Sequence, residues 1–241
     1  MPYKPDHILI SDTTESLFRD VANSITDYAI ECINRHGRFN IALAGGSTPK
    51  QLYQTLASPP NLERIPWQHC HFYFGDERMV PHDNKQSNYL MARQSLFDSV
   101  PVPASNIHPI PTDCDHAEDC ASQYEMEITR LDALDLVLLG MGDDGHTASL
   151  FPGTDILKEQ DKLVAAVFVA AMDSWRISLT YPTLNQARRV IILVKGTDKQ
   201  TMVNNVLYSR NASKYPVTGV RPAGELIWHM DSDAHPGDSQ S

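Results

Sequence analysis

Apolar and polar positions follow two rhythms along this chain. Short β-compatible segments recur at residues 7–10, 39–44, 70–74, 134–139, 164–169, 176–181, 190–194 and 226–230. Between them, apolar residues fall at three-to-four-residue spacing. Leu17, Val21, Ile25, Tyr28, Ala29, Cys32 and Ile33 form one stripe across 12–36, with Gly37 as the stop. A second helix is expected through Leu52, Tyr53 and Leu56, and others over 88–97, 115–131 and after Gly196. Pro101, Pro103, Pro109 and Pro111 mark a loop. Strands alternating with helices predict an α/β fold: a Rossmann-like, mostly parallel sheet in a three-layer α/β/α sandwich. The segment at 134–139 lacks interior Gly and Pro and reads as a strand buried on both faces. With no repeat and no clear linker, one domain is expected over 1–233, followed by a polar, flexible tail at 234–241.

Composition narrows the function classes. The chain has 241 residues, 21% charged and 41% hydrophobic, ordinary values for a globular protein. Its formal net charge is −10, with no block of Lys or Arg, which argues against a nucleic-acid surface. An anionic ligand would need local cations and backbone amides to hold it against that field. No apolar run approaches the ~20 residues of a membrane span, and the first residues lack a leader-like apolar region. The four cysteines, Cys32, Cys70, Cys114 and Cys120, form no C-x-x-C pair. A reducing, cytoplasmic setting with all thiols free is the expectation.

Polar chemistry gathers at three strand ends, where ligands bind in open α/β sheets. Gly45-Gly46-Ser47-Thr48-Pro49 precedes a helix whose N-terminal amides suit an anion, with Pro49 in the first turn. It is neither a Walker loop nor a dinucleotide fingerprint. Gly75-Asp76-Glu77-Arg78 follows the third strand, and reads as a surface ion pair or as a substrate-orienting group. After the buried central strand, Gly140-Met141-Gly142-Asp143-Asp144-Gly145-His146-Thr147-Ala148-Ser149 sets two carboxylates and a histidine in a glycine-rich turn. Histidine there can take a proton from water. Cys114, His116 and Cys120, with the acidic residues around them, do not match a structural zinc spacing, and the acids suit a first helical turn. His69 and His71 lack a second ligand pair, and Met79 and Met91 read as packing residues.

Taken together, these segments resemble the 6-phosphogluconolactonase family, within a fold group that includes glucosamine-6-phosphate deaminase. The resemblance runs from Ala42 to Trp228 and is most specific at Gly145-His146-Thr147-Ala148-Ser149-Leu150-Phe151-Pro152-Gly153. It also takes in Val80-Pro81, Ser87-Asn88-Tyr89, Arg176-Ile177-Ser178-Leu179-Thr180 and Gly196 with Lys199. Met172-Asp173-Ser174-Trp175 departs from the Pro-rich approach associated with the lactonases. The resemblance implies hydrolysis of 6-phospho-D-glucono-1,5-lactone in the oxidative pentose phosphate pathway, with no metal or cofactor. It implies a catalytic set of His146, Asp144 and Asp76, with His146 as base and Asp144 or Asp143 setting its tautomer. Gly45, Gly46, Ser47, Thr48, Arg78, Lys199 and Arg176 would bind substrate, Arg78 at the phosphate or at the oxyanion. The expected partner is this small sugar phosphate, for a monomer or weak homodimer, without nucleic acid or membrane.

Two other readings compete. The deaminases carry Ala-Phe-Asn-Glu-Pro-Gly after the histidine and Tyr after the Asp-Glu pair. Here Ala148-Ser149-Leu150-Phe151-Pro152-Gly153 has no carboxylate, and Arg78 follows Glu77. A non-catalytic sugar-phosphate sensor would bring a basic DNA-binding module, and none precedes His7.

Overall fold

Thr13 caps the first helix by accepting a hydrogen bond from the Ser16 amide, and Gly37 closes it in a left-handed turn at φ 85°. The structure is a computed structural model and describes residues 3–237. Among these residues the strands are β1 His7–Ser11, β2 Phe39–Leu43, β3 Cys70–Phe74, β4 Asp76–Arg78, β5 Leu136–Leu139, β6 Val164–Val169, β7 Ser174–Leu179, β8 Arg189–Val194 and β9 Glu225–Asp231. The helices are α1 Thr14–His36, α2 Ser47–Leu56, α3 Asn61–Arg64, α4 Asn88–Ser95, α5 Ala117–Thr129, α6 Tyr181–Gln186 and α7 Gln200–Leu207.

Six strands form one sheet in the order β1-β9-β8-β5-β2-β3, every neighbouring pair parallel. Strands β2 and β5, each flanked by a strand on both sides, are buried along their whole length, as an uninterrupted apolar segment requires between two covering layers. Helix α1 lays the stripe of Leu17, Val21, Ile25, Ala29 and Cys32 against β1, β2 and β9. From β2 the chain runs outward to β3 on one side, then returns to build β5, β8 and β9 on the other. The winding therefore reverses between β2 and β5, and the carboxyl ends of these strands open a crevice there.

Three features depart from the sequence expectation. A second, antiparallel sheet, β4-β7-β6, stands beside the parallel one, with α5 packed on β6 and β7. The segment after Gly75 is thus a short strand, which aligns Asp76, Glu77 and Arg78 with Ser178, Ile177 and Arg176. Cys114 and Cys120 are joined in a disulfide, so the expectation of four free thiols is corrected; Cys32 and Cys70 remain buried thiols. The loop entering α5 folds back to bring their Cα atoms within 5.6 Å, which a search for C-x-x-C does not register. The third lies at the chain's end. Packing continues past residue 233: Ala234 is fully buried and its amide donates to Asp231 Oδ1 at 3.0 Å. The remainder of the expected tail, residues 238–241, lies outside the described residues.

The amino end of the sheet holds a buried charge. Asp135, just before β5, is 1% exposed and accepts from the Asn40 amide at 2.8 Å. His36 Nε2 and Arg188 Nε approach its other oxygen at 3.1 and 3.2 Å. The Arg188 guanidinium, with the His36 imidazole beside it, is what allows a carboxylate to interrupt an apolar run there. Among the described residues, no helix is long and apolar enough to cross a membrane.

Candidate active site

The turn after β5 is shaped by its glycines. A side chain at Gly142 would lie 2.1 Å from Cε1 and Nδ1 of His146, so only glycine lets the imidazole fold back over the turn. Gly145 is left-handed at φ 77° and leaves room for the ring of Tyr215. The Gly142 amide donates to the His146 carbonyl at 2.9 Å, and Thr147 Oγ1 to the Gly140 carbonyl at 2.8 Å. Ala148 then takes a left-handed φ of 47°, a strained value for a residue with a Cβ.

Within this turn Asp144 grips His146 twice. Its Oδ1 lies 2.6 Å from the ring Nδ1 and accepts from the His146 amide at 3.0 Å. A carboxylate can only accept, so Nδ1 carries a proton, and in the neutral ring the lone pair falls on Nε2. Partial burial works to raise the Asp144 pKa. The backbone and ring hydrogen bonds from His146, with the charge of the ring, outweigh it and hold the carboxyl below its usual range. Phe151 stacks on the imidazole at a centroid distance of 4.1 Å and limits its swing. The neighbouring acid points elsewhere: Asp143 pairs with Lys199. Of the two aspartates left open by the sequence, Asp144 is the one in contact with the histidine.

At the end of β2, Gly46 (φ 103°) opens α2, whose N-terminus no side chain caps. Its first amides are therefore directed at the crevice with the helix dipole behind them. A side chain at Gly45 would collide with the Asn88 amide, its Cβ 2.0 Å from Oδ1. Asn88 Nδ2 in turn donates to the backbone carbonyl and Oδ1 of Asp76, at 2.8 and 3.1 Å. Ser149 Oγ donates to the other Asp76 oxygen at 2.7 Å. Asp76 thus ties the α2 loop to the histidine turn. Glu77, 1% exposed, turns inward and accepts from the amides of Arg78, Asn88 and Tyr89 at 2.8 Å and from Ser87 Oγ at 3.0 Å. Burial pushes its pKa up against these four donors.

Two arginines meet as a cross-strand pair, Arg78 on β4 and Arg176 on β7. Each has a buried Nε without a hydrogen-bond partner. Burial, and then the charge of Arg78, lowers the Arg176 pKa. Arg78 Nη1 donates to the Gln86 carbonyl, and Arg176 Nη2 meets Met172 Sδ at 3.1 Å. Like charges held side by side, with donors to spare, favour an anion between or beside them.

These elements converge on one cleft of about 310 Å³. Gly45, Gly46, Ser47, Thr48, Asp76, Arg78, Asn88, Gly142, His146, Phe151, Met172, Arg176, Lys195 and Lys199 are on its wall. Asp144 stands behind His146. The sequence did not single out the cleft roles of Asn88, Phe151 and Met172, nor the hydrogen bond of buried Ser149 to Asp76. Among the described residues, the groups of metal-ligating side chains within reach of one another are Cys32, His36 and Asp135, and Asp113 with the disulfide cysteines. Neither borders the cleft.

A doubly wound sheet with an anion-attracting crevice at its switch point, and a carboxylate-oriented histidine inside it, defines a class of α/β proteins that act on small anionic ligands. Within that class, the chain belongs to the family of glucosamine-6-phosphate isomerases and 6-phosphogluconolactonase, whose family model matches residues 12–228. It is 42% identical over 212 residues to a 6-phosphogluconolactonase of Nostoc, covering 84% of this chain and 85% of the relative. It is 40% identical to one of Synechocystis, covering 87% of this chain and 89% of the relative. The solved 6-phosphogluconolactonase of Trypanosoma cruzi superimposes with a TM-score of 0.84 at 29% identity, over 99% of this chain and 98% of that one.

Proposed function

We infer that the chain hydrolyses 6-phospho-D-glucono-1,5-lactone to 6-phosphogluconate, the pentose phosphate pathway step performed by the relatives it resembles. The observation that carries this reading is the Asp144–His146 pair at the edge of a cationic cleft. With Nδ1–H held by Asp144, Nε2 of His146 takes a proton from water as the water's oxygen bonds to the lactone carbonyl carbon. When the C–O bond to the ring oxygen breaks, the imidazolium returns that proton to the leaving alkoxide. Asp144 stabilises the imidazolium in between. No covalent enzyme intermediate is needed for an activated ester, and a positioned base supplies about 10²–10⁴-fold.

The 6-phosphate is held by the amides and hydroxyls of residues 45–48 at the start of α2, with Lys199, Arg78 and Arg176 around it. Asp76 has both carboxylate oxygens engaged by Ser149 and Asn88, so its contribution is to fix the distance between the phosphate loop and the base. The deaminase reading gains nothing from the geometry, since residues 147–153 carry no carboxylate and Asp144 is the acid in contact with His146. We place the activity in the cytoplasm, in a chain acting as a monomer or weak homodimer on a soluble sugar phosphate. Assaying one preparation for lactone hydrolysis and for ammonia release from glucosamine 6-phosphate separates the two activities. Lactone turnover without ammonia supports this reading; ammonia without lactone turnover overturns it.

A further inference from the structure

The segment 172–175, where the sequence leaves the lactonase pattern, forms the tip of the β6–β7 hairpin and the start of β7. Met172 closes the turn, followed by Asp173 in a left-handed conformation at φ 45°. Its side chain reaches into the cleft and sets its thioether 3.1 Å from Nη2 of Arg176, while the residue remains 50% exposed. We propose that Met172 is an oxidation site built against Arg176, at which a peroxide converts the thioether to the sulfoxide and weakens the cleft's hold on its anionic substrate.

The reaction needs one oxidant, a hydroperoxide. A sulfur lone pair attacks the peroxide oxygen, an S–O bond forms as the O–O bond breaks, and the departing oxygen leaves with a proton as water or an alcohol. Sulfur loses two electrons and the peroxide gains them. Access favours this position: among the described residues Met126 and Met172 are the exposed methionines, and of these two Met172 borders the cleft, where the other lining methionine, Met141, is buried. The consequence follows from acceptor strength. A thioether accepts weakly, so the Arg176 guanidinium remains available to an anion. A sulfoxide oxygen is a strong, dipolar acceptor placed against the same Nη2, and it competes with substrate for that donor. Arg176 cannot compensate by retreating, because it is buried and Arg78 stands next to it in register.

The proposal rests on the reading that Arg176 binds the substrate's anionic end, and the experiment separates the two. The intact enzyme is treated with hydrogen peroxide, sulfoxides are mapped by peptide mass spectrometry, and KM and kcat are measured for 6-phosphogluconolactone. Oxidation at Met172 should raise KM about 10-fold with kcat within about 2-fold, and methionine sulfoxide reductases should restore KM. Met126→Leu should respond like the parent, whereas Met172→Leu should hold its own untreated KM after peroxide. Sulfoxide mapped at Met172 with KM unmoved overturns the proposal, as does an equal loss in Met172→Leu. Arg176→Ala without peroxide tests the underlying reading: an unchanged KM there removes Arg176 from substrate binding and the proposal with it.

Discussion

Replacing Gly142 with Ala adds one methyl group at the point where the proposed base rests. That Cβ would sit 2.1 Å from Cε1 and Nδ1 of His146 and 3.0 Å from Asp144 Oδ1. Ordinary carbon contacts lie near ~3.5–4.0 Å, so the imidazole must move by roughly 1.5 Å or swing off Asp144 altogether. A shift of about 1 Å in a catalytic group costs on the order of 10²-fold, and loss of the base costs about 10²–10⁴-fold. We expect kcat/KM to fall by at least ~10². Stability should change little, because Gly142 does not adopt a left-handed φ and its neighbour is the end of a partly exposed side chain. The assay pairs hydrolysis of freshly generated lactone, corrected for spontaneous opening, with thermal unfolding. A variant within about 3-fold of the parent in kcat/KM would refute the claim that His146 must lie where it does. A variant that loses activity only through unfolding would leave no support for it either.

Other consequences are equally open to measurement. Lys199→Ala should raise KM with little change in kcat, since a phosphate contact is the same in ground and transition states, and steady-state kinetics would show an unchanged KM if Lys199 were only a partner for Asp143. Asp135→Ala should lower stability by about 3 kcal/mol in urea unfolding, because it strips the Asn40 amide, the Arg188 guanidinium and the His36 imidazole of their shared partner; a loss below ~1 kcal/mol would contradict that account. His229 is buried without a hydrogen-bond partner on either nitrogen, and burial pulls its pKa down to about 4. The unfolded chain binds the extra proton from about pH 6.5 downward, so this group's contribution is present above that pH and is lost as pH falls towards about 4, an effect of about 3 kcal/mol. Unfolding of the parent should steepen with acid relative to His229→Leu, and parallel pH profiles would count against the burial argument.

The strand ends were legible because each couples a buried apolar run to glycine and polar residues, a local signal that Ala44-Gly45-Gly46 and Leu139-Gly140 both carry. The second sheet was not, because β4 has three residues and its partner lies about a hundred positions away at Arg176–Ser178. That pairing brings Arg78 beside Arg176, so the arginine pair is a product of topology and no window of sequence displays it. The network from Asn88 through Asp76 to Ser149 was hidden for the same reason, though the acid itself stood out. Asp144 and Asp143 are neighbours in sequence, and only the direction of the turn sends one to His146 and the other to Lys199. The Cys114–Cys120 disulfide escaped because compartment and motif, rather than distance, set the expectation.

The central claim is that His146, oriented by Asp144, activates water against the lactone. Its most direct test is the rate of 6-phosphogluconolactone opening with the parent enzyme and with His146→Gln, each above the spontaneous rate, with folding checked by thermal unfolding. The account predicts strong acceleration by the parent and a folded variant slower by about 10²-fold or more. A folded variant that still opens the lactone at close to the parent rate would contradict it.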